Sequence, residues 1–519
     1  MKSRSCLLSL ILLWAAVGAL SQSKPSVSGT VTDAKNSPLE GAQVHLMSSD
    51  SDVVVLTDDQ GKFTVPNLQP GVYQAHAAKK FYAPSPTQGV SVGASMKEVS
   101  FTLAELERPG ILQLSTADVR RFLPEGNGEA LFYDRCGRCH GASLALSPGP
   151  LDREGWDAAF NGVSYVVGFN EVVNDKVRGT ILDYLAGNFG PGSTLIGEMG
   201  EKAEKAYQQD VPLGHNLMYT VWDLHLRAAE PHTAAPDNEG NVWVTEFGDR
   251  PGMVTRVHIS TGQLTQYQIK TPGDIRPFSV GITPDGKAWF TAGPELGAID
   301  PKSGTLTEMK IPGDEGKRVN GSHLTISDGK VWFGVSSPGR IVSYDPKDKQ
   351  FKSYKIEDGA ATPDGITKHG DKFWFVLGRA TKVGYLEPET GKVQTFPVPT
   401  PHINSEHLTV DPQGRVWLAE QDESKLWVLD PSTETFKDYD LPYTCQPYMI
   451  GLDVKGKVWA NCFMRESLVQ VDPDTKKMVE YPQPIGLGGV GRSLLSDSSG
   501  NMWFASWYTG KLVRVTELP

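Results

Sequence analysis

Seven tryptophans at nearly constant spacing are the feature that most constrains the fold of this 519-residue chain. Successive members lie 42 to 46 residues apart, and they are Trp243, Trp289, Trp332, Trp374, Trp417, Trp459 and Trp503. Each belongs to a repeated phrase of short apolar segments and Asp/Gly turns that can supply four strands. Such a repeat is typical of a β-propeller. Residues 216–519 are therefore predicted to form seven blades with the tryptophans packed between them.

The closure of this ring is also predicted from the repeats. The seventh repeat lacks an outer strand, and residues 219–226 have the same residue pattern as the outer strands of the other repeats. We expect this earlier segment to pair with blade seven, because closure removes an exposed sheet edge. His225, within the same segment, is expected to be structural.

The first strand of each blade begins at the central channel, so its first residues define a mouth. Aligning the repeats on their tryptophans gives one ring position per blade, occupied by His232, Phe278, His323, Asp364, His407, Tyr448 and Arg492. A second set lies three residues after the tryptophan and includes Glu246, Glu420, Cys462 and Ser506. Both sets are expected at the same end of each antiparallel hairpin. Because imidazole groups can transfer protons near neutral pH, the three histidines of the ring predict a polar small-molecule site at the mouth. A water-filled channel is the alternative.

The propeller repeats carry a family resemblance. The phrase SVGITPDGKAWFTAG at residues 279–293 and the segment from Ala229 through Glu230 and Pro231 to His232 resemble the virginiamycin B lyase family. The resemblance implies a seven-bladed propeller that uses Mg²⁺ and opens a cyclic depsipeptide by elimination. It also implies a mouth histidine as general acid or base with nearby glutamates, at Glu230, His232 and Glu246. That family places mouth histidines on adjacent blades, whereas here they fall on blades one, three and five.

Residues 25–104 have a different sequence pattern, in which short segments of alternating apolar and polar residues are separated by Asp-Gln-Gly and Gln-Pro-Gly turns. This pattern predicts a small β-sandwich. The sequences SGTV at residues 28–31, DQGKF at 59–63 and PGVY at 70–73 resemble the carboxypeptidase regulatory-like domain. The resemblance implies a non-catalytic domain, in which His45 and His76 are ordinary strand residues.

Between these two parts lies FYDRCGRCHGAS, residues 132–143. A zinc site needs about four ligands and no second Cys or His pair is near in sequence, while a thioredoxin-like motif would follow a strand. Covalent haem accounts for all three residues, with Cys136 and Cys139 as attachment points and His140 as the proximal iron ligand. The flanking sequence resembles class I cytochrome c domains. This implies a small all-α haem domain over 112–195, followed by a linker over 196–215.

The second axial ligand of such a haem is less defined by the sequence. Met199 is the next methionine, 59 residues after His140. Met218, His215 or a five-coordinate iron are the alternatives, and an open iron would favour small-molecule chemistry over electron transfer.

The N-terminus and the remaining cysteines indicate the compartment. Residues 1–21 combine Lys2 and Arg4 with an apolar run, which predicts a cleaved signal peptide and a periplasmic or secreted protein. No later segment is apolar enough to span a bilayer. In an oxidising compartment Cys445 and Cys462 are predicted to form a disulfide that pins the mouth, with free thiols or metal binding as alternatives. The net charge of −11 argues against nucleic acid as a partner.

Together these features predict a mainly β multidomain protein with a small β-sandwich, a small all-α cytochrome c domain and a seven-bladed β-propeller. The predicted function is electron transfer by an exported haem c protein whose propeller binds a small-molecule substrate or a redox partner protein. Lyase-like C–O elimination at the mouth, with Mg²⁺ as the implied cofactor, is one alternative. A non-enzymatic binding or sensing module is the other.

Overall fold

The structure is a computed structural model that describes residues 25–519, except for 94, 138–140, 164–173, 207–210, 226–229, 248–251, 274, 314–318, 337–338, 357–362, 487–488 and 490. The predicted signal peptide, residues 1–21, lies outside the described residues. The described chain is mainly β and consists of a small sandwich, a helical segment and a propeller. Among the residues described, no helix combines the length and the apolar character needed to cross a membrane.

The N-terminal part is the predicted β-sandwich. Its strands are β1 (Val27–Asp33), β2 (Gln43–Met47), β3 (Asp52–Leu56), β4 (Lys62–Val65), β5 (Gly71–Ala78), β6 (Tyr82–Ala83), β7 (Gln88–Val92) and β8 (Lys97–Glu105). One sheet has the order β4-β1-β8-β6, and the facing strands have the order β3-β2-β5-β7. Alternate residues such as Val44 and Leu46 point into a shared core with Phe63 and Phe101, as the period of two in the sequence requires.

Six short α-helices are described between the sandwich and the propeller. They are α1 (Thr116–Arg120), α2 (Glu129–Phe132), α3 (Ala142–Leu146), α4 (Arg153–Val163), α5 (Asp175–Asn188) and α6 (Leu195–Ala206). The first begins with a capping box between Ser115 and Asp118. The predicted linker over 196–215 is wrong in its first half, since α6 occupies it. Ile196, Met199 and Ala203 recur at helical spacing there and pack in one apolar cluster with Trp156 of α4.

The propeller has seven sheets arranged in a ring, with the first strands of neighbouring sheets in contact. After β9 (Leu217–Asp223), blade one holds β10 (Pro231–Pro236), β11 (Asn241–Glu246), β12 (Met253–His258) and β13 (Gln263–Gln268), and blade two holds β14 (Pro277–Ile282), β15 (Ala288–Ala292), β16 (Glu295–Asp300) and β17 (Thr305–Lys310). Blade three holds β18 (Asn320–Ser327), β19 (Lys330–Ser336), β20 (Arg340–Asp345) and β21 (Gln350–Lys355), and blade four holds β22 (Asp364–His369), β23 (Lys372–Leu377), β24 (Lys382–Glu387) and β25 (Lys392–Pro397).

The remaining blades follow the same order. Blade five holds β26 (Leu408–Val410), β27 (Val416–Glu420), β28 (Lys425–Asp430) and β29 (Thr435–Asp440), and blade six holds β30 (Pro447–Leu452), β31 (Val458–Cys462), β32 (Ser467–Val471) and β33 (Met478–Pro482). Blade seven holds β34 (Leu495–Ser496), β35 (Met502–Ser506) and β36 (Lys511–Glu517), with β9 as its outer strand.

The predicted closure of the ring is confirmed by this last pairing. Strand β9 runs antiparallel to β36, and Tyr219 lies opposite Val515. His225 lies two residues beyond β9 with its side chain 83% exposed. The N-terminal end of the propeller sequence therefore completes its last blade.

The outer edge of β9 is covered by the sandwich. Strand β3 pairs antiparallel with β9, so that Val54 lies opposite Tyr219. Blade seven and one sheet of the sandwich thus form a continuous eight-stranded sheet. This pairing protects an edge that would otherwise be available to another chain.

The tryptophans hold the blades together. Trp374 of blade four, for example, packs in one cluster with Val410 and Val416 of blade five. Four of the seven indole N–H groups also donate to an aspartate six residues earlier, in the pairs Trp243–Asp237, Trp417–Asp411, Trp459–Asp453 and Trp503–Asp497. In these four blades a hydrogen bond therefore ties each tryptophan to the turn six residues before it.

Candidate functional site

The first strand of most blades is irregular where it reaches the mouth. Registers shift in five of the described first strands, between Pro231 and Ala234, Pro277 and Ser279, Gly321 and Leu324, Asp364 and Thr367, and Pro447 and Ile450. Each of these intervals contains a predicted ring residue. A β-bulge bends the strand and re-aims a side chain. The same local irregularity therefore turns equivalent residues of different blades toward the channel.

The predicted ring residues meet one another in space. Along one arc, the ring centroids of His232 and Phe278 are 4.6 Å apart, and those of Phe278 and His323 are also 4.6 Å apart. His323 then contacts His407 with a centroid distance of 4.2 Å in an edge-on arrangement. Asp364 lies between these two imidazoles in chain order and contacts His323. The alignment on tryptophans thus located one continuous cluster.

The cluster closes through aromatic and cationic side chains. The His407 and Tyr448 rings are 5.3 Å apart, and the guanidinium carbon of Arg492 lies 4.4 Å from the Tyr448 ring centroid. The same guanidinium lies 4.6 Å from the centroid of Trp507, whose ring is 5.4 Å from that of His232. Arg492 is therefore held between two aromatic faces, a favourable arrangement for a cation.

His323 and Asp364 form a polar pair within the cluster. His323 Nδ1 lies 2.5 Å from Asp364 Oδ1, and both side chains are mostly buried. In the described part of the chain, the Nε2 atoms of His323 and His407 have no hydrogen-bond partner. A carboxylate on one ring nitrogen fixes the orientation of an imidazole and supports proton transfer at the other nitrogen. The pair has the composition of an oriented general base.

The other two histidines are kept neutral by their surroundings. Burial lowers the pKa of His232 well below 6.5, and the nearby His323 and Arg492 lower it further. Burial also lowers the pKa of His407 well below 6.5, with further contributions from His323, His232 and Arg492. His232 is only 2% exposed and stacks on Phe247 at a centroid distance of 4.7 Å. It lies deeper in the aromatic packing than the His323–Asp364 pair.

A second polar pair, Tyr448 and Glu406, lies beside His407. Tyr448 Oη donates to Glu406 Oε2 at 2.6 Å, and burial raises the pKa of Tyr448 well above 10. The phenol therefore remains protonated across the physiological range and is a potential proton donor beside His407.

The predicted glutamates lie behind the ring. Glu246 is buried opposite Pro231 and accepts a hydrogen bond from Thr255 Oγ1. Glu420 is fully buried and accepts from the backbone N–H groups of Asn404, Asp422 and Glu423. The alignment placed Glu420 at the mouth, but the following turn folds over its carboxylate, so it stabilises a loop. Glu230 lies at the start of blade one, where its carbonyl accepts from Phe247 N at 3.0 Å.

Two protein-family models match parts of this chain. The model of the virginiamycin B lyase family matches residues 212–471, which is half of the chain. The protein belongs to this family. The model of the carboxypeptidase regulatory-like domain matches residues 26–104, in agreement with the sandwich. Residues 105–211, which include the helical segment, lie between the two matched ranges.

Solved structures agree with this assignment of the propeller. Virginiamycin B lyase from Staphylococcus aureus is 22% identical with a TM-score of 0.52, and the match covers 58% of this chain and 100% of that one. A streptogramin B lyase structure is 21% identical with a TM-score of 0.51 over 58% of this chain and 98% of that one. A catalytically inactive variant of the S. aureus enzyme with quinupristin is 21% identical, with a TM-score of 0.50 and coverage of 58% and 100%. At these identities the likeness shows the fold alone.

One curated protein also matches. It is "Structural protein 27" of a virus (isolate Australia/Victoria), 40% identical over 86 residues. The match covers 17% of this chain, and the chain spans about a sixth (16%) of the length of that relative.

The predicted disulfide is present in this virginiamycin B lyase-family propeller. Cys445 and Cys462 are bonded and fully buried at the mouth end of blade six. Thr444 and Gln446, on either side of Cys445, both have left-handed backbone conformations, with φ of 54° and 47°. Such conformations are strained for residues other than glycine and need support from the surrounding structure. The disulfide holds this turn next to Tyr448.

The predicted haem residues are described only in part. Cys136 is 7% exposed in a π-helical turn at Tyr133–Gly137, whereas Cys139 and His140 lie outside the described residues. Met199, in α6, is 1% exposed and belongs to the same apolar cluster as Cys136. Of the alternative ligands, Met218 packs against the sandwich core, and His215 is exposed. Met199 is thus the candidate that lies within the helical segment.

The helical segment also contacts the mouth of the lyase-family propeller. Ala117 N donates to Met464 O at 2.9 Å, and the Arg121 guanidinium lies 4.4 Å from the Tyr443 ring centroid. The apolar cluster that contains Cys136 continues into Phe463 and Tyr448 of blade six. Within the described ranges, no group of three or more His, Cys, Asp or Glu side chains is arranged to hold a metal ion.

Several mouth residues escaped the sequence analysis. Phe247, Phe463 and Trp507 each lie four residues after a blade tryptophan and form the aromatic shell around the ring. Their shared position in the repeat is a signal that could have found them. Glu406 directly precedes the predicted His407, and only the fold shows that it reaches Tyr448.

Proposed function

We propose that the propeller mouth binds a small molecule and catalyses its breakdown by a lyase-type elimination. The observation that carries this proposal is the His323–Asp364 pair inside a cluster of buried imidazoles. Membership of the virginiamycin B lyase family supports it. The partly exposed members Phe278, Asp364 and Arg492 are the surface that an incoming ligand would meet.

The proposed chemistry uses the two polar pairs in different roles. His323, oriented by Asp364, removes a proton from a carbon next to a carbonyl group. The C–O bond at the neighbouring carbon breaks, a C=C bond forms, and the leaving oxygen takes the bonding electron pair. Tyr448, which burial keeps protonated, supplies a proton to that oxygen. The electropositive Arg492 stabilises the negative charge that develops.

A turnover assay tests this proposal. The purified protein is incubated with quinupristin, the compound named with one structural relative, in MgCl₂ or in EDTA, and linear product is followed by mass spectrometry. The His323→Gln variant is expected to lose roughly 10²- to 10⁴-fold in rate. His225→Gln, on the outside of the propeller, is the matched control and should retain full activity. Failure to bind or cleave quinupristin contradicts the depsipeptide form of the proposal, and full activity of His323→Gln contradicts the assigned base.

Electron transfer by a covalent haem is the second candidate. The observation in its favour is that Cys136 and Met199 share one apolar cluster, an environment that suits a porphyrin. Cys136, Cys139 and His140 would hold haem c, and Met199 would be the second axial ligand. When bound, this group supplies one-electron chemistry. Export to an oxidising compartment, as proposed from residues 1–21, would permit haem attachment, and the acidic chain would favour a basic redox partner protein.

An optical spectrum tests this second candidate. The full chain is produced in a host that matures c-type haem, denatured, and examined for a haem that remains covalently attached. Wild type is expected to retain it, and Cys139→Ala together with His140→Ala is expected to lose it. Addition of carbon monoxide to the reduced protein should leave the spectrum unchanged if Met199 occupies the iron. A wild-type protein without covalent haem contradicts this candidate.

A further inference from the structure

A cavity lies where the three parts of the chain meet. Its volume is about 310 Å³, close to the lower end of the range for small-molecule sites. The sandwich contributes Lys79 and Lys80, the helical segment contributes Asp118, and blade six contributes Arg465 and Glu480. The cavity is separate from the mouth, since none of the seven ring residues lines it.

Three acidic residues, Asp118, Glu466 and Glu480, line the cavity, and protein donors engage the carboxylates of Asp118 and Glu480. Asp118 accepts from Ser115 and forms an ion pair with Lys80. Glu480 accepts two hydrogen bonds from Arg465, at 2.7 and 2.8 Å, and a third from Ser467 Oγ at 2.6 Å. These two carboxylates are therefore neutralised locally.

Lys79 differs from these residues. Its Nζ donates to the backbone carbonyl of Glu40, and the described residues offer it no carboxylate within ion-pairing distance. Burial lowers the pKa of this amine, although Glu40 opposes the shift. A partly buried ammonium group whose direct hydrogen-bond acceptor is a neutral carbonyl is costly, and an anionic ligand group would compensate for it.

Apolar side chains also line the cavity, some of them close to Lys79, since a Cβ on Gly41 would lie 2.8 Å from Leu213 Cδ1 and 3.9 Å from Lys79 Nζ. These side chains include Phe122, Ala203, Leu213 and Pro482. Nearby, Gln483 Oε1 has no hydrogen-bond donor in the described part of the chain. One cationic end beside an apolar surface is the arrangement that recognises a small amphipathic anion.

We infer that this three-way cavity binds a small organic anion, with the charged group on Lys79 and the apolar body against Phe122 and Leu213. A carboxylate and a phosphate monoester share the required chemistry. Because the sandwich, the helical segment and blade six all line this cavity, binding within it also stabilises their arrangement.

Binding of matched acid and neutral probes tests this inference on the full-length protein. Benzoate, hexanoate and phenyl phosphate are compared with benzamide, hexanamide and phenol by ligand-observed NMR titration and by thermal unfolding. At least one acid is expected to bind and to raise the unfolding temperature, while its neutral counterpart binds at least about tenfold more weakly. The carboxylates and the phosphate then show which anion is preferred.

Variants at Lys79 complete the test. Lys79→Gln is expected to weaken binding of the acid about tenfold or more, whereas Lys79→Arg keeps the charge and should stay within a few-fold of wild type. Lys62→Gln, on an exposed position of the same sandwich, is the control and should change nothing. Circular dichroism verifies that each variant is folded. The inference is overturned if no acid binds, if neutral and acidic probes bind equally, or if Lys79→Arg loses as much affinity as Lys79→Gln.

Discussion

Replacement of Asp411 by alanine should destabilise the propeller more than most single substitutions. The Asp411 side chain is fully buried and organises the turn before Trp417 in blade five. It accepts from the backbone N–H groups of Gln413 and Arg415 at 3.0 and 2.9 Å, and from Trp417 Nε1 at 2.9 Å. Arg415 Nε adds a charged contact at 2.5 Å.

The expected cost follows from what each donor loses. The indole of Trp417 is fully buried, so its N–H would be left without a partner at a cost of about 2 kcal/mol. The two backbone N–H groups lose a charged acceptor but can reach water, at about 1 kcal/mol each. Arg415 retains Asp474, 3.0 Å away, which limits its loss. The free energy of unfolding should therefore fall by about 4 kcal/mol.

Blade two provides a matched comparison. There Trp289 Nε1 donates to Thr283 Oγ1 at 3.2 Å, and no aspartate stands six residues before the tryptophan. Thr283→Val removes this neutral acceptor and the hydroxyl that donates to Asp285 Oδ1 at 2.6 Å, and it should cost about 1–2 kcal/mol. Both variants are measured by urea unfolding of the full chain, followed by tryptophan fluorescence. A loss below about 1 kcal/mol for Asp411→Ala, or equal losses in the two variants, would refute the argument that the aspartate organises the turn.

Two further predictions concern the mouth. Cys462→Ser should lower the free energy of unfolding by about 3 kcal/mol, because the disulfide closes a loop with a sequence separation of 17, and a reductant should lower the melting temperature of wild type but not of the variant. Lowering the pH below about 6.5 should also destabilise the protein, since burial lowers the pKa of His232 and His407 and the unfolded chain then binds protons that the folded chain does not. The stability that these neutral histidines contribute is fully present above about pH 6.5. As the pH falls from there toward their lowered pKa values in the folded state, the free energy of unfolding decreases by up to about 1.4 kcal/mol per pH unit for each histidine. His407→Gln should reduce this slope by one proton, and an unchanged slope in urea titrations at several pH values would show that His407 does not contribute.

The ring of mouth residues was predictable because a propeller repeats its geometry. Once the tryptophans fix the register, a residue at a constant offset from each of them must lie at a constant height in its blade. His232, His323 and His407 were placed in this way, and they do meet in one cluster. The fourth strand of blade seven was predictable for the same reason.

Contacts between parts of the chain were not predictable from the repeats. The pairing of β3 with β9 depends on how the sandwich is oriented, which no local pattern encodes. Glu420 occupies the same repeat position as Glu246, yet its carboxylate accepts from the N–H groups of Asp422 and Glu423 in the turn that follows it and of Asn404 in the segment before β26. Helix α6 has clear helical spacing around Met199, although residues 196–215 were predicted to be a linker.

Blade six is where the separate sites are joined. Within residues 462–467, Phe463 lies 5.9 Å from the Arg492 guanidinium at the mouth, and the Met464 carbonyl accepts from the helical segment. Arg465, the next residue, binds Glu480 in the wall of the three-way cavity. The disulfide at Cys462 anchors the start of this stretch. Contacts with the mouth, the helical segment and the cavity wall therefore lie on three consecutive residues of one anchored backbone segment.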